Sequence, residues 1–396
     1  MTAPRQRSQL FRRRRLAAAA VVTTLFVVVV QALFPGTFGL SSGPVVSVLD
    51  KARAVVGQEA PRPFAGRLLV YGRHALTAAQ VASLRAAARG TVTAVYGGEV
   101  AVASGRTDYP QVPVQTFTVD AASYATAAST PDLAGELTKG AVLSRVGATL
   151  RKAAVGDHLQ LASGRRLLVS AVVEDHLLGG YEMATTNKVL GGPAGKAASY
   201  LLVAAGSDAG ATTRRLRAAL PGIDLRIEDH TRNGYFSSAD TVLTQAQMST
   251  RFGEFALRID NTGSLRLDST WRDTWIRSTS VPQLGVITCN KAVIAGLRSA
   301  MEEVTRRGLG SLVHTADFKR QGGCWSPRVV RFGAGQLSAH AWGVAVDINV
   351  GANPLGAAPV QDPRLVDIMS RHGFTWGGLW LRPDGAHFEW RGQDFR

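Results

Sequence analysis

The residues best equipped for chemistry lie near the C-terminal end of the chain. His340 and Asp347 fall in the segment Leu337-Ser338-Ala339-His340-Ala341-Trp342-Gly343-Val344-Ala345-Val346-Asp347-Ile348-Asn349. His387 follows forty residues after Asp347, in Arg382-Pro383-Asp384-Gly385-Ala386-His387-Phe388-Glu389-Trp390. Val344 to Ile348 reads as a strand, and Asp347 sits inside it. A carboxylate in an apolar strand is costly unless it is paired or bound to a metal. Two imidazoles and one carboxylate make a suitable zinc set, because three protein ligands leave a fourth position open for water. Zinc there lowers the pKa of water towards about 7 and polarises a carbonyl group. A further carboxylate is then needed to take the proton and pass it to a leaving amine.

The elements that must hold these residues read as a mixed α+β chain. Asn290 to Arg307 has the period of an amphipathic helix, with Val293, Leu297, Ala300, Met301 and Val304 on one side and Gly308 as its stop. Gly253 to Thr270 alternates apolar and polar residues around Asn261-Thr262-Gly263, a hairpin signal. Residues 67–245 read as a separate α+β module. It opens on a strand-like run, Leu68 to Tyr71, followed by a helix from Thr77 to Ala88. Within it, Gly140 to Thr186 reads as helix, turn at Val155-Gly156-Asp157 and two strands, His158 to Leu161 and Arg166 to Val173. His74, His158, His176 and His230 share no ligand-like spacing and read as packing or surface residues, as do His314 and His372, the latter at a helix C-terminus.

At the other end, Leu16 to Phe34 is an apolar stretch of nineteen residues without a charge. As a helix it spans roughly 28 Å, close to a hydrocarbon core. Arg5, Arg7 and Arg12 to Arg15 precede it with no acid among them. The reading is a basic cytoplasmic tail (1–15), an uncleaved signal anchor (16–34), the alternative being a cleaved signal peptide, and a Gly-, Pro- and Ser-rich linker (35–66), with everything beyond outside the cytoplasm. Six of the sixteen net positive charges thus belong to a topology signal. No cluster of basic and aromatic residues argues for nucleic acid. The two cysteines, Cys289 and Cys324, can persist as a disulfide outside the cytoplasm, the alternative being two separate buried thiols.

Ser-x-His-x-x-Gly-x-Ala-x-Asp followed by Asp-x-x-His-Phe-Glu resembles the VanY-like zinc D-alanyl-D-alanine carboxypeptidases and endopeptidases. The resemblance extends to GGCWSPRVVR (322–331), to WGGLW (376–380) and to Pro282, Gly285 and Cys289, and covers about residues 250–393. It implies a DD-peptidase/hedgehog-type domain over 250–396, with one Zn2+ held by His340, Asp347 and His387. It implies Asp384 as catalytic base, with Glu389 as the alternative base or a partner of His387. Pro383-Asp384-Gly385 also suits a plain turn. Arg328 matches the arginine that binds the substrate carbonyl and stabilises its oxyanion. Ser338 and Trp376 are the remaining candidates for contact with substrate. The implied substrate is a peptidoglycan stem peptide, cut as a D-Ala-D-Ala carboxypeptidase would. An L-Ala-D-Glu or cross-link endopeptidase, and a zinc-containing wall-peptide binding module without activity, remain as alternatives. Residues 140–186 also resemble, weakly, the extracytoplasmic core domain of MacB-type permeases, which implies a binding or spacing role for the module.

Overall fold

Among the described residues, eleven strands join in one mixed sheet. The computed structural model describes residues 63–229, 242–262, 264–330 and 336–392. The basic tail, the apolar stretch at 16–34, most of the 35–66 linker and His230 lie outside these residues. Among the described residues no helix is long and apolar enough to cross a membrane. Residues 61–396 belong to one compact unit.

The strands are β1 (Arg67–Gly72), β2 (Val92–Ala103), β3 (Gln111–Val119), β4 (Ala141–Ser144), β5 (His158–Gln160), β6 (Arg166–Val173), β7 (Met183–Thr185), β8 (Tyr200–Ala204) and β9 (Leu225–Asp229). They lie in the order β5-β6-β4-β7-β3-β2-β8-β1-β9. The apolar run Leu68 to Tyr71 is the buried part of β1, flanked on both sides by antiparallel partners. Such a run suits a strand covered on both faces. Thr77 caps the helix Ala78–Ala88 with a full capping box, which fixes its start where Gln80 follows three residues later. The segment 140–186 contains three elements more than its pattern suggests: β4, β7 and the 3-10 turn Asp175–Leu178. Ala-Val-Leu-Ser is the buried strand β4, and the helix begins only at Arg145.

The hairpin expected around Asn261 forms as β10 (Leu257–Ile259) and β11 (Leu265–Leu267). It joins the large sheet through Leu257, which pairs with Gln111 at the start of β3. The sheet therefore continues past residue 245 in sequence. Beyond it, β12 (Ile276–Val281) and β13 (Gly285–Asn290) form a second hairpin. The helix Lys291–Arg306 starts on Asn290, whose side chain accepts from Ala292 N, and buries Val293, Leu297, Ala300, Met301 and Val304. Gly308, with φ of 66°, ends it in the left-handed region that favours glycine. Its apolar face belongs to a core that runs from Leu243 to Trp390 and includes Leu365, Ile368 and Met369 of the helix Pro363–Arg371. A three-stranded sheet in the order β14 (Ala345–Asp347), β16 (His387–Trp390), β15 (Phe374–Trp376) rests on this core.

Cys289 of β13 and Cys324 are joined as a disulfide, with Cα atoms 5.2 Å apart. Both are buried. Replacing the pair by alanine removes a cross-link over 35 residues of chain, and should lower the unfolding free energy by about 2–5 kcal/mol. Urea titration of the double variant measures this. An unchanged midpoint would show that the link carries no stability.

Candidate metal centre

Three elements bring the chemistry-bearing residues together. Asp347 ends β14 and is paired in register with His387, the first residue of β16. His340 lies in the short 3-10 turn Ala339–Ala341, which Ser338 opens by accepting from His340 N at 3.3 Å. His340 Nε2 is 3.1 Å from Asp347 Oδ1 and 3.2 Å from His387 Nδ1. His387 Nδ1 is 2.9 Å from Asp347 Oδ1. The ligand atoms of His340, Asp347 and His387 all lie within 4.8 Å of one another.

The outer atoms of both rings are already engaged. His340 Nδ1 lies 2.7 Å from the Cys324 carbonyl oxygen, which can only accept, so this nitrogen carries a proton and donates. His387 Nε2 meets Glu389 Oε1 at 3.2 Å. When both outer nitrogens donate, the neutral rings turn two lone pairs towards each other and towards the Asp347 carboxylate. Lone pairs and a carboxylate at these distances need a cation or a proton between them. The donor set therefore fits zinc, with nitrogen and oxygen ligands and outer partners that fix each tautomer.

Without metal, a proton serves instead. Burial disfavours charge on His387, yet Asp347 and Glu389 hold its imidazole up at about 10. Burial likewise opposes charge on Asp347, but His340 and His387 keep its carboxyl well below the ordinary carboxylate range. Asp384 behaves in the opposite sense. Burial raises its carboxyl, and Asp347 adds to the rise against the pull of His387. Its main chain closes the turn before β16, where His387 N donates to Asp384 O at 3.2 Å.

The remaining candidates take distinct places. Arg328 is partly exposed, and its Nη2 is 3.2 Å from Asp347 Oδ2. Ser338, Arg328, Asp384 and His387 line one cleft, together with Glu389, Trp380 and Arg382. Trp376 does not line it. Its indole donates to Gly385 O at 2.9 Å and packs on the core, so it supports the Asp384–His387 turn from behind. Trp380, four residues after Trp376, meets the His387 ring at 5.2 Å. Glu389 is the outer partner of His387, and its other oxygen, Oε2, accepts from Val242 N at 2.5 Å. His372 pairs with Glu303 at the end of its helix, 2.9 Å away, and is no ligand. Sequence pattern gave no signal for the Cys324 carbonyl, nor for Gln115, Gln245 and Met248, which also line the cleft.

Residues 332–390 match the family model described as D-alanyl-D-alanine carboxypeptidase. The match lies inside the segment that carries the resemblance read from the sequence. None of the curated proteins matches the chain. Solved structures similar to it include the periplasmic region of MacB from Actinobacillus actinomycetemcomitans, at 13% identity and TM-score 0.31, over 45% of this chain and 95% of that one. A domain of a putative permease protein from Porphyromonas gingivalis is similar at 12% identity and TM-score 0.27, over 43% of this chain and 92% of that one.

Two outcomes follow for metal binding. Glu389→Gln should weaken zinc about 10- to 100-fold, the usual cost of losing an outer partner; competition against a chelator measures it, and an unchanged affinity would remove Glu389 from the centre. Metal must displace the proton on His387, which is held up to about pH 10. Zinc affinity should therefore rise with pH through neutrality and level off above about 10. Calorimetry in buffers of different ionisation enthalpy should show proton release at pH 7, and binding without it would contradict the assignment.

Proposed function

We propose that the chain is a zinc peptidase of the bacterial cell envelope that hydrolyses peptidoglycan stem peptides in the manner of a D-Ala-D-Ala carboxypeptidase. The convergence of His340 Nε2, Asp347 Oδ1 and His387 Nδ1, each held from outside, carries this reading. The family match over 332–390 supports the reaction class and the substrate. Zinc, when bound, supplies a Lewis acid for the scissile carbonyl and an acidified water.

The rest of the work belongs to the chain. Asp384, beside His387 on the cleft wall, takes a proton from the attacking water and delivers it to the amine that leaves. Its raised pKa makes it a stronger base than an ordinary carboxylate while it still ionises reversibly. Arg328 presents a permanent cation on the same wall and offsets the negative charge that develops on the carbonyl oxygen. Ser338 fixes the turn that aims His340. Both oxygens of Glu389 are engaged, by His387 and by Val242 N, which favours Asp384 as the base on the shared cleft wall. The stretch Leu16 to Phe34 and its preceding arginines support a membrane anchor that puts this cleft on the wall side.

Asp384→Ala should lower kcat/KM on a stem pentapeptide by about 10²- to 10⁴-fold while zinc content stays near one per chain. Mass spectrometry of the digest should show release of the terminal D-alanine. Full activity in this variant would contradict the role of Asp384, and cleavage only at an internal bond would contradict the carboxypeptidase type.

A further inference from the structure

Glu99 of β2 stands directly opposite Gln115 of β3 in the antiparallel ladder. Directly opposed residues share one face of a sheet, and this face meets the metal cleft. Glu99 Oε1 accepts from Leu337 N at 3.3 Å. Leu337 bridges Val329, and Ser338 N donates to Arg328 O at 3.0 Å. Glu99 thus holds the outer edge of the strand segment whose inner edge carries Arg328. Gln115, its neighbour, lines the cleft alongside Arg328, Asp384 and His387.

The two ends of Gln115 differ. Its main chain is tied down. Gln115 N donates to Glu182 Oε1 at 3.3 Å, and Glu182 is fully buried against Arg151 at 3.1 Å. Arg151 also pairs with Glu254, while Gln245 Nε2 donates to Pro113 O at 3.0 Å, two residues before Gln115. This network locks β3 to the helix Gln245–Phe252 at the cleft. The side chain is not tied down. Gln115 is only 9% exposed, yet its carboxamide makes no hydrogen bond among the described residues. The carboxamide is not sealed in the interior; it opens on the cleft that Gln115 lines, where it offers both a donor and an acceptor. Met248 adds an apolar surface to the same wall.

We propose that Gln115 is a substrate-binding residue, donating to and accepting from a backbone amide of the stem peptide, so that the large sheet forms one wall of the peptidase cleft. The inference rests on the peptidase reading above. A carboxamide carries the same N–H and C=O pair as a peptide unit, and so recognises backbone rather than charge. Its rigid strand leaves little entropy to lose on binding.

The test uses the full zinc-loaded chain and a stem pentapeptide. Gln115→Ala, and Gln115→Leu as the variant that keeps volume, should raise KM about 3- to 10-fold, the size of one net hydrogen bond, with kcat within about twofold. Gln111→Ala, on the same strand but away from the cleft lining, should leave both constants unchanged. Calorimetric titration of the same peptide should show the same loss in Kd. Unchanged KM and Kd in both Gln115 variants, or a fall in kcat alone, would overturn the inference. A wild-type chain that binds the pentapeptide without cutting it would overturn the peptidase reading only, and Kd would still decide the role of Gln115. A wild-type chain that does neither would overturn both.

Discussion

Asp347 and His387 face each other across two antiparallel strands, and the site is built outward from that pair. Strand register alternates faces residue by residue, so a slip of one would turn the carboxylate away from the imidazole. The neighbouring positions prevent it. Val346 and Phe388 are paired and completely buried, so their apolar side chains fix the register that points Asp347 and His387 to the other face. A carboxylate this enclosed cannot stay charged alone. It requires the two imidazoles, and they in turn require either a proton or a cation between their inner nitrogens.

The outer contacts extend this requirement through the fold. His340 is held by the carbonyl of Cys324, and Cys324 is bonded to Cys289 on the second hairpin. The disulfide therefore supports the tautomer of His340 as well as the core. His387 is held by Glu389, whose other oxygen is capped by the main chain at Val242. That residue lies three positions before Gln245, the first member of a helix, whose side chain contacts both β3 and buried Glu182. The candidate centre and the large sheet are thus linked through Glu389, the main chain from 242 to 245 and the Gln245 side chain. The sheet is placed to shape what enters the cleft.

The juxtaposition of His340, Asp347 and His387 was legible in sequence through residue type and motif, although His387 lies forty residues beyond Asp347. A polar residue within an apolar strand, a histidine seven positions earlier and a second histidine in an equivalent strand need no knowledge of packing. The period of their apolar residues located the helices that Thr77 and Asn290 are found to cap. The short apolar run at 141–144 was read as helix because four residues carry no usable period; packing between β6 and β7 makes it a strand. Trp376 and Trp380 share one turn, and only the folded chain shows that the first supports the site while the second lies against His387. Glu389 had two open roles until its two oxygens were seen to be engaged. Gln115 could not be found from pattern, since its approach to Arg328 depends on how a whole sheet packs across more than two hundred residues of chain.

The central claim is the identity and attachment of the metal. Crystals of the zinc-loaded chain, measured on both sides of the zinc absorption edge, test it most directly. One anomalous peak is expected, bonded to His340 Nε2, an oxygen of Asp347 and His387 Nδ1. A peak elsewhere, or bonds through the outer nitrogens now engaged by Cys324 and Glu389, would contradict it.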